Sequence, residues 1–318
     1  MTKFTFLLPA YKTRYLDQML KSIQNQTYKD FKVLISDDCS PEDIKSVCEP
    51  YLLDERFSYR RNEENMGSKS LVSHWNLLVD ICDTEYLIMA SDDDVYEPTF
   101  LEEIDKLVNK YPEVDLLRAR AEIIDEDEDI VRKDHCYQER TSQLEFMLQY
   151  EQPCHVTCVG NYVYKTSALK SIGGFLDYPL AWKSDTMTAN LIAKNGVVNT
   201  KDILFNFRVS GINISSIDKK EVLIKKYQAT KQKDNDMTSL LNELSEAHVD
   251  KYSNFLLSTI TQKHIERTLS ELAMFAVALP LGDFCKTISY FQKKNYFKSK
   301  FEIVLLYKKW WYYHSHNS

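Results

Sequence analysis

Residues 91–94 of this 318-residue chain read Ser-Asp-Asp-Asp. Three adjacent carboxylates repel one another, raise at least one of their own pKa values and cost stability unless a cation neutralises them. Hard oxygen donors favour Mg2+ or Mn2+, ions that take one or two protein carboxylates and complete their octahedron with water and substrate phosphate. The alternative is a solvated acidic loop in which Asp94 caps the helix that Pro98 opens. Context favours the metal. The triplet follows a short apolar run, Tyr86 to Ala90, that reads as a strand, and two more polar clusters follow strands in the same way. Pro9-Ala10-Tyr11 follows Phe4 to Leu8, and Asp37-Asp38 follows Lys32 to Ile35. Ligands of open α/β sheets sit at the carboxyl ends of strands, so the three clusters are expected to line one cleft.

Other chemistry-bearing residues carry weaker signals. Asp125 to Asp129 lies between Ile123-Ile124 and Ile130-Val131 and reads as the polar tip of two paired strands. His135-Cys136 and Cys154-His155 with Cys158 match no zinc-ligand spacing, and His74 beside Trp75 reads as packing. No G-x-S-x-G elbow and no phosphate-binding P-loop is present.

The elements that must position these residues alternate. Leu16, Met19, Leu20 and Ile23 recur at helical spacing. After the second strand, Ser40 as N-cap, Pro41 and the acidic Glu42 and Asp43 predict a helix through Ile44, Val47 and Tyr51. Further helices carry Leu71, Trp75 and Leu78, and then Phe100, Ile104 and Leu107. Short strands are expected near Leu116 to Ile124 and Val156 to Tyr164, then a Gly173-Gly174 turn and a helix from about Asp185 to Lys194. Beyond about Lys219 the pattern is helical. Fold class is therefore α/β, a mixed and mainly parallel nucleotide-binding sheet flanked by helices with an α-helical C-terminal extension, divided into 1–218 and 219–318.

Composition narrows the function classes. A hydrophobic content of 44% and 12% aromatics describe a globular chain. A formal net charge of −7 argues against nucleic-acid binding, which needs a basic face. Seven scattered cysteines suit a reducing cytosol, and the apolar run at the start is too short for a secretory signal.

In combination these residues resemble the family-2 inverting glycosyltransferases, whose catalytic domain has the glycosyltransferase A fold. The likeness spans about Phe4 to Ser215 and rests on several segments. These are Phe-Leu-Leu-Pro-Ala-Tyr ending at Tyr11, residues 22–31, and Ile-Ser-Asp-Asp-Cys-Ser at 35–40, where Cys39 replaces the usual glycine. Asn65-Met66-Gly67 with His74-Trp75-Asn76, the Ser91 to Asp94 metal motif, Gly173-Gly174-Phe175 with Asp185, and Phe207-Arg208 with 211–215 complete it.

By that resemblance Pro9, Tyr11, Asp37, Asp38, Asn65, Gly67, Asp92 and Arg208 would bind a nucleotide-sugar donor. Tyr11 would pack on the base, Asp38 would accept its N–H, and Arg208 would meet phosphate. Ser91 stands where the family's first metal-motif aspartate is expected, so Asp93 is the primary Mn2+ or Mg2+ ligand, with Asp94 and Asp92 as partners. Asp185 would be the general base, taking the proton of an acceptor hydroxyl that displaces the nucleotide diphosphate with inversion. The resemblance implies a UDP-sugar donor and a glycan or lipid-linked acceptor in bacterial surface-polysaccharide synthesis. The alternatives are a sugar-nucleotide nucleotidyltransferase, or a non-catalytic carbohydrate-binding protein on a transferase scaffold.

The last 26 residues, Lys293 to Ser318, hold six lysines, one glutamate and eight interleaved aromatics. Such a segment could lie on an anionic membrane surface or dock its aromatics on the protein. The expectation is a cytoplasmic protein, peripheral to the inner face of the cell membrane through 293–318, with no oligomeric state implied.

Overall fold

The computed structural model describes residues 2–152, 154–211, 217, 219–297 and 299–316. The chain forms two compact units, residues 1–177 with 184–213, and residues 178–183 with 214–318.

The first unit is built on one mixed sheet. Its strands are β1 (Phe4–Ala10), β2 (Phe31–Asp37), β3 (Phe57–Arg61), β4 (Tyr86–Met89), β5 (Val95–Tyr96), β6 (Leu116–Ile124), β7 (Ile130–Lys133), β8 (Arg140–Thr141), β9 (Tyr162–Lys165) and β10 (Val197–Arg208). The order is β3-β2-β1-β4-β9-β6-β10-β5, with β7 on β6 and β8 on β10. Strands β1 to β4 pair in parallel, as the βαβ pattern requires. The run beyond β4 is mostly antiparallel, with β6 and β10 again parallel. Strand β1 is buried along almost its whole length, which is why it reads as a continuous apolar run rather than an alternation.

Helices α1 (Leu16–Gln24), α2 (Ile44–Cys48), α3 (Leu71–Ile81), α4 (Phe100–Lys110), α5 (Gln143–Tyr150), α6 (Thr166–Ser171) and α7 (Ser184–Ile192) complete the unit. Leu16, Met19, Leu20 and Ile23 are all buried on α1, as their spacing predicts. The acidic run after β6 forms the tip of the β6–β7 hairpin.

Two local expectations change. Helix α2 starts later and is capped by Asp43, which accepts from Ser46 N at 3.2 Å. The Ser40 hydroxyl donates to Tyr11 O at 2.6 Å and accepts from Glu42 N at 3.0 Å, ahead of the helix rather than within its first turn. Strand β9 begins at Tyr162 rather than near Val156, because side chains take the backbone groups of the earlier residues. Asp134 Oδ1 accepts from Val156 N at 3.1 Å, and Arg118 donates to Val156 O at 2.6 Å. A ladder strand there would have to give those bonds up.

The second unit is helical: α8 (Lys220–Ala247), α9 (Lys251–Ala276), α10 (Leu281–Lys293) and α11 (Lys300–His316). Leu272, Phe275, Phe284, Phe291 and Leu306 form part of its core. A polar knot lies inside it, where buried Asp234 accepts from His264 Nε2 at 2.8 Å, from Tyr296 OH at 2.7 Å and from Tyr290 OH. Helix α11 divides its aromatics. Trp310 donates to Leu279 O at 2.8 Å, whereas Trp311 and Tyr312 are 60% and 62% exposed. Among the described residues no helix is long and apolar enough to cross a membrane.

The Gly173-Gly174 turn closes on α3. Asn76 donates to Phe175 O at 2.9 Å and accepts from Phe175 N at 2.7 Å, and a Cβ on Gly174, at φ 89°, would overlap the Asn76 amide. Gly174→Ala is expected to destabilise the fold by about 2 kcal/mol through left-handed strain and loss of this clamp. The measurement is a shifted denaturant midpoint at unchanged m-value.

Candidate functional site

Register brings the three polar clusters to one edge. Ala10 lies opposite Asp37 and Leu7 opposite Met89, so the residues that follow β1, β2 and β4 leave the sheet together. The loop after β1 is then fixed from three sides. Asp92 Oδ2 accepts from Tyr11 N at 3.0 Å and from Lys12 N at 2.8 Å. Glu42 accepts from Thr13 N at 2.7 Å, and Tyr11 O takes the Ser40 hydroxyl. Pro9 sits half-buried within β1, while the Tyr11 ring is 38% exposed and presents a face to solvent.

Asp38 organises the next wall. Its carboxylate accepts from Asn62 Nδ2 at 2.9 Å, Met66 N at 2.9 Å and Gly67 N at 2.7 Å. A carboxylate has about four acceptor positions, so about one is left for a ligand donor. A Cβ on Gly67 would stand 2.9 Å from Asp38 Oδ2, which explains the glycine. Asn65 supports the same turn, accepting from Ser68 N at 2.8 Å. Asp37 is fully buried and faces inward, accepting from Ser40 N at 2.8 Å, Tyr59 OH at 2.7 Å and Arg61. Cys39, in the position where glycine was expected, has φ 53° and so adopts the left-handed backbone glycine would take.

Residues 92–94 point to different partners. While Asp92 holds the β1 loop, Asp94 Oδ1 accepts from Arg208 N at 3.0 Å. It therefore does not cap α4, whose N-cap is Thr99. Asp93 accepts from the Ser91 hydroxyl at 2.6 Å, a donor that can rotate away. Burial and then the Asp93 charge push the Asp92 carboxyl up to about 6, despite the two backbone amides. Burial and the Asp93 charge also raise the Asp94 carboxyl well above its usual range. Excess negative charge with hard oxygen donors is what a divalent cation relieves. Among the described residues no three His, Cys, Asp or Glu side chains are grouped to hold a metal. The described residues alone therefore offer no complete set of protein ligands for such an ion.

Arg208 is buried. It donates to Asp93 O at 3.0 Å, to Asp125 O at 3.3 Å and to Gln18 Oε1 at 2.8 Å, approaches Glu128 at 3.3 Å, and lies 4.4 Å from the Tyr15 ring centroid. These contacts make it a brace between the acidic loop, α1 and the hairpin tip. Residues 212–215 of the segment after it lie outside the described residues.

Asp185 lies in the first turn of α7, half-buried, with the Thr186 hydroxyl 3.4 Å from Oδ1. The half-buried Cys158 thiol feels the charge of both this carboxylate and the acidic loop. Burial raises that thiol's pKa first, and the charges of Asp94 and Asp185 raise it further, so both carboxylates lie within electrostatic reach of one sulfur.

His74 plays a part that its sequence setting hides. Fully buried on α3, it meets Ser36 Oγ at 2.9 Å through Nε2, and its Nδ1 is 3.6 Å from Asp38 Oδ1. Burial lowers its pKa and so disfavours a charged ring beside Asp38. Asn62 was likewise not singled out, and Asn76 entered only within a resemblance segment with no role of its own, since a lone amide carries no spacing signal.

Residues 5–173 match the sequence profile of Glycosyl transferase family 2, more than half of the chain. Among curated proteins, an uncharacterised glycosyltransferase of Methanocaldococcus jannaschii is 26% identical over 161 residues, 50% of this chain and 53% of that one. The GalNAc(5)-diNAcBac-PP-undecaprenol beta-1,3-glucosyltransferase of Campylobacter jejuni is 31% identical over 96 residues, 30% of each chain. The chain thus spans about half or less of these relatives. Of solved structures, Staphylococcus aureus TarS 1–349 with UDP-GlcNAc superposes with TM-score 0.65 at 16% identity, covering 87% of this chain and 82% of that one. Mannosyltransferase PcManGT of Pyrobaculum calidifontis with GDP-Man and Mn2+ gives TM-score 0.54 at 14% identity, covering 99% and 86%. The fold is shared with both.

The raised Asp92 pKa gives a pH signature. In unfolded chain the group loses its proton near 3.8, in folded chain near 6, so between these values the folded state holds more protons. Metal-free protein is therefore expected to lose stability as pH rises from about 4 to 6, and Asp92→Asn to flatten that slope. Denaturant midpoints across the window, in chelator, measure it.

Proposed function

The chain belongs to glycosyltransferase family 2, and on that footing we propose that it transfers a sugar, with inversion, from a nucleotide-sugar donor to an acceptor hydroxyl. The observation that carries the reading is the meeting, at the carboxyl ends of β1, β2 and β4, of an exposed aromatic with carboxylates locked by backbone amides. All of those residues fall inside the family match; Asp185 and Arg208 fall outside it.

In this reading Tyr11 stacks on the base and Asp38 spends its remaining acceptor position on a base N–H. Pro9, Asp37, Asn65 and Gly67 shape that pocket, and Asp92 sets the loop on which Tyr11 stands. Asp93 would hold Mn2+ or Mg2+, with Asp92 and Asp94 behind it; when bound, the ion neutralises charge that grows on the leaving diphosphate. Arg208 adds positive charge from beneath the acidic loop. Asp185 takes the acceptor's proton as its oxygen attacks the anomeric carbon, a contribution worth about 10²–10⁴-fold in rate. The base is best matched by UDP and the acceptor by a glycan or lipid-linked sugar, in bacterial surface-polysaccharide synthesis at the cytoplasmic side of a membrane. The first 218 residues would carry the chemistry and the rest contact acceptor or membrane. A donor complexed in each of two structural neighbours, with Mn2+ in one of them, supports this assignment.

Asp93→Ala is expected to weaken Mn2+-dependent donor binding at least tenfold by calorimetry, as chelator does to the unaltered protein. Asp185→Asn should leave that binding within about twofold and cut transfer by about 10²–10⁴. Near-normal turnover by Asp185→Asn removes the base assignment.

Membrane contact would run through the outward face of α11, where Val304, Tyr307, Trp311 and Tyr312 stand exposed beside Lys308 and Lys309. Co-sedimentation with phosphatidylglycerol vesicles should be strong and salt-sensitive, and Trp311→Ser with Tyr312→Ser should abolish it. Equal pelleting of both forms would count against it.

A further inference from the structure

The chain leaves the sheet-bearing unit after Asp177 and returns to it at Ser184, one residue before Asp185. Within that unit, continuous backbone therefore does not tie the first turn of α7 to the residues before it. Side chains do. Thr188 lies one turn beyond Asp185, is fully buried, and its Oγ1 accepts from Leu176 N at 3.0 Å. Asn190 Nδ2 donates to Thr186 O at 2.9 Å, and Gln143 Nε2 of α5 donates to Asn190 O at 2.8 Å, which fastens the other end of the helix. Threonine and asparagine are poor helix formers, yet Thr186, Thr188 and Asn190 are all buried on α7. The helix gives up propensity for tethering bonds.

The segment 174–177, to which α7 is tied in this way, is itself held by α3. Asn76 takes both backbone groups of Phe175, accepting from its N–H at 2.7 Å and donating to its carbonyl at 2.9 Å. The Ser70 hydroxyl caps α3 by accepting from Ser73 N at 3.0 Å, and it donates to Asp177 Oδ1 at 2.8 Å. The Phe175 ring meets Trp75 of α3 edge-to-face at 5.3 Å and Tyr164 of β9 at 5.2 Å. Burial, and then the charge of Asp185, raise the pKa of the Tyr164 phenol, so the carboxylate lies within electrostatic reach of this packing. The same α3 backs the Asp38 wall. His74 meets Ser36 and lies beside Asp38, and the turn that leads into the helix gives Asp38 the Met66 and Gly67 amides. One helix thus serves Asp38 directly and, through residues 175–177, the helix that carries Asp185.

We propose that Asn76 and Thr188 are positioning residues for Asp185, which clamp segment 174–177 between α3 and α7 and so fix the first turn of α7 relative to Asp38. The inference rests on the reading of Asp185 as general base. Asn76 and Thr188 act through Asp185 and need not touch substrate. The energetic logic is that of proximity: a base displaced by about 1 Å can lose about 10²-fold in rate, so joints that only hold its helix can govern turnover. Every residue of the clamp belongs to the sheet-bearing unit.

The test uses the full chain with Mn2+ and, from a panel of UDP- and GDP-sugars, the donor hydrolysed fastest by the unaltered protein. Nucleotide release gives kcat, and calorimetry gives donor Kd and stoichiometry. Thr188→Val, which keeps the shape and removes the acceptor, and Asn76→Ala are expected to lower kcat about tenfold or more at full stoichiometry, while Kd stays within about twofold. Thr188→Ser keeps the acceptor and should recover most of the rate that Thr188→Val loses. Asp185→Asn runs alongside as the control for the base. If Asp185→Asn is slow and folded Thr188→Val and Asn76→Ala turn over normally, the clamp is wrong and the base stands. If Asp185→Asn turns over normally, the base reading fails and takes the clamp with it. Should Asn76→Ala not fold, the two Thr188 variants decide. Thr188→Ser as slow as Thr188→Val, or a loss that appears in Kd instead of kcat, assigns these residues to general structure and overturns the proposal.

Discussion

Burying ionised carboxylates is the constraint around which the sheet edge is organised. Asp37, Asp38, Asp93 and Asp94 are all buried at the ends of β2 and β4. A charge taken out of water is tolerated only if donors replace the lost hydration. Asp38 meets this with two backbone amides and the Asn62 amide, Asp37 with a backbone amide, a phenol and Arg61, and Asp94 with the Arg208 amide. Asp38 thus fixes backbone after β3 and Asp94 the end of β10, while Asp37 holds the loop that follows its own strand. The walls of the cleft are made rigid by the same groups that make it acidic.

That double use explains the raised pKa values of Asp92 and Asp94. Their donors immobilise loops but do not fully offset desolvation and mutual repulsion, so part of the charge is not compensated by the protein's own groups. A site that is rigid and carries uncompensated negative charge would spend little on rearrangement in taking the divalent ion proposed above.

The legible part of the architecture was the part written in apolar periodicity. Phe4 to Leu8 and the α1 stripe follow from side-chain spacing, because burial of those residues outweighs any competing local bond, whereas the β6–β7 hairpin, whose second strand is exposed, follows from the polar run at its tip. The start of α2 and of β9 was not legible for the converse reason. There, single long-range bonds decide: Ser40 to the Tyr11 carbonyl, and Asp134 and Arg118 to the Val156 backbone. Local propensity cannot register a partner 22 to 38 residues away. The left-handed Cys39 shows another limit, since its departure from glycine changed the residue and kept the backbone.

Arg208 shows most sharply why a site residue's identity does not disclose its role. An arginine near a diphosphate site invites a direct phosphate contact, since its fork suits that geometry. Its nitrogens are instead committed to the Asp93 carbonyl, the Asp125 carbonyl and Gln18, with Glu128 adjacent, and its own amide holds Asp94. One buried cation beneath three carboxylates offsets part of their charge and ties the acidic loop to α1 and to the hairpin tip. Positive charge placed there offsets the mutual repulsion of the carboxylates, and the divalent ion proposed above would then have only the remaining excess to neutralise. The same arginine therefore limits the cost of assembling the acidic loop and sets how much negative charge that loop has left to offer.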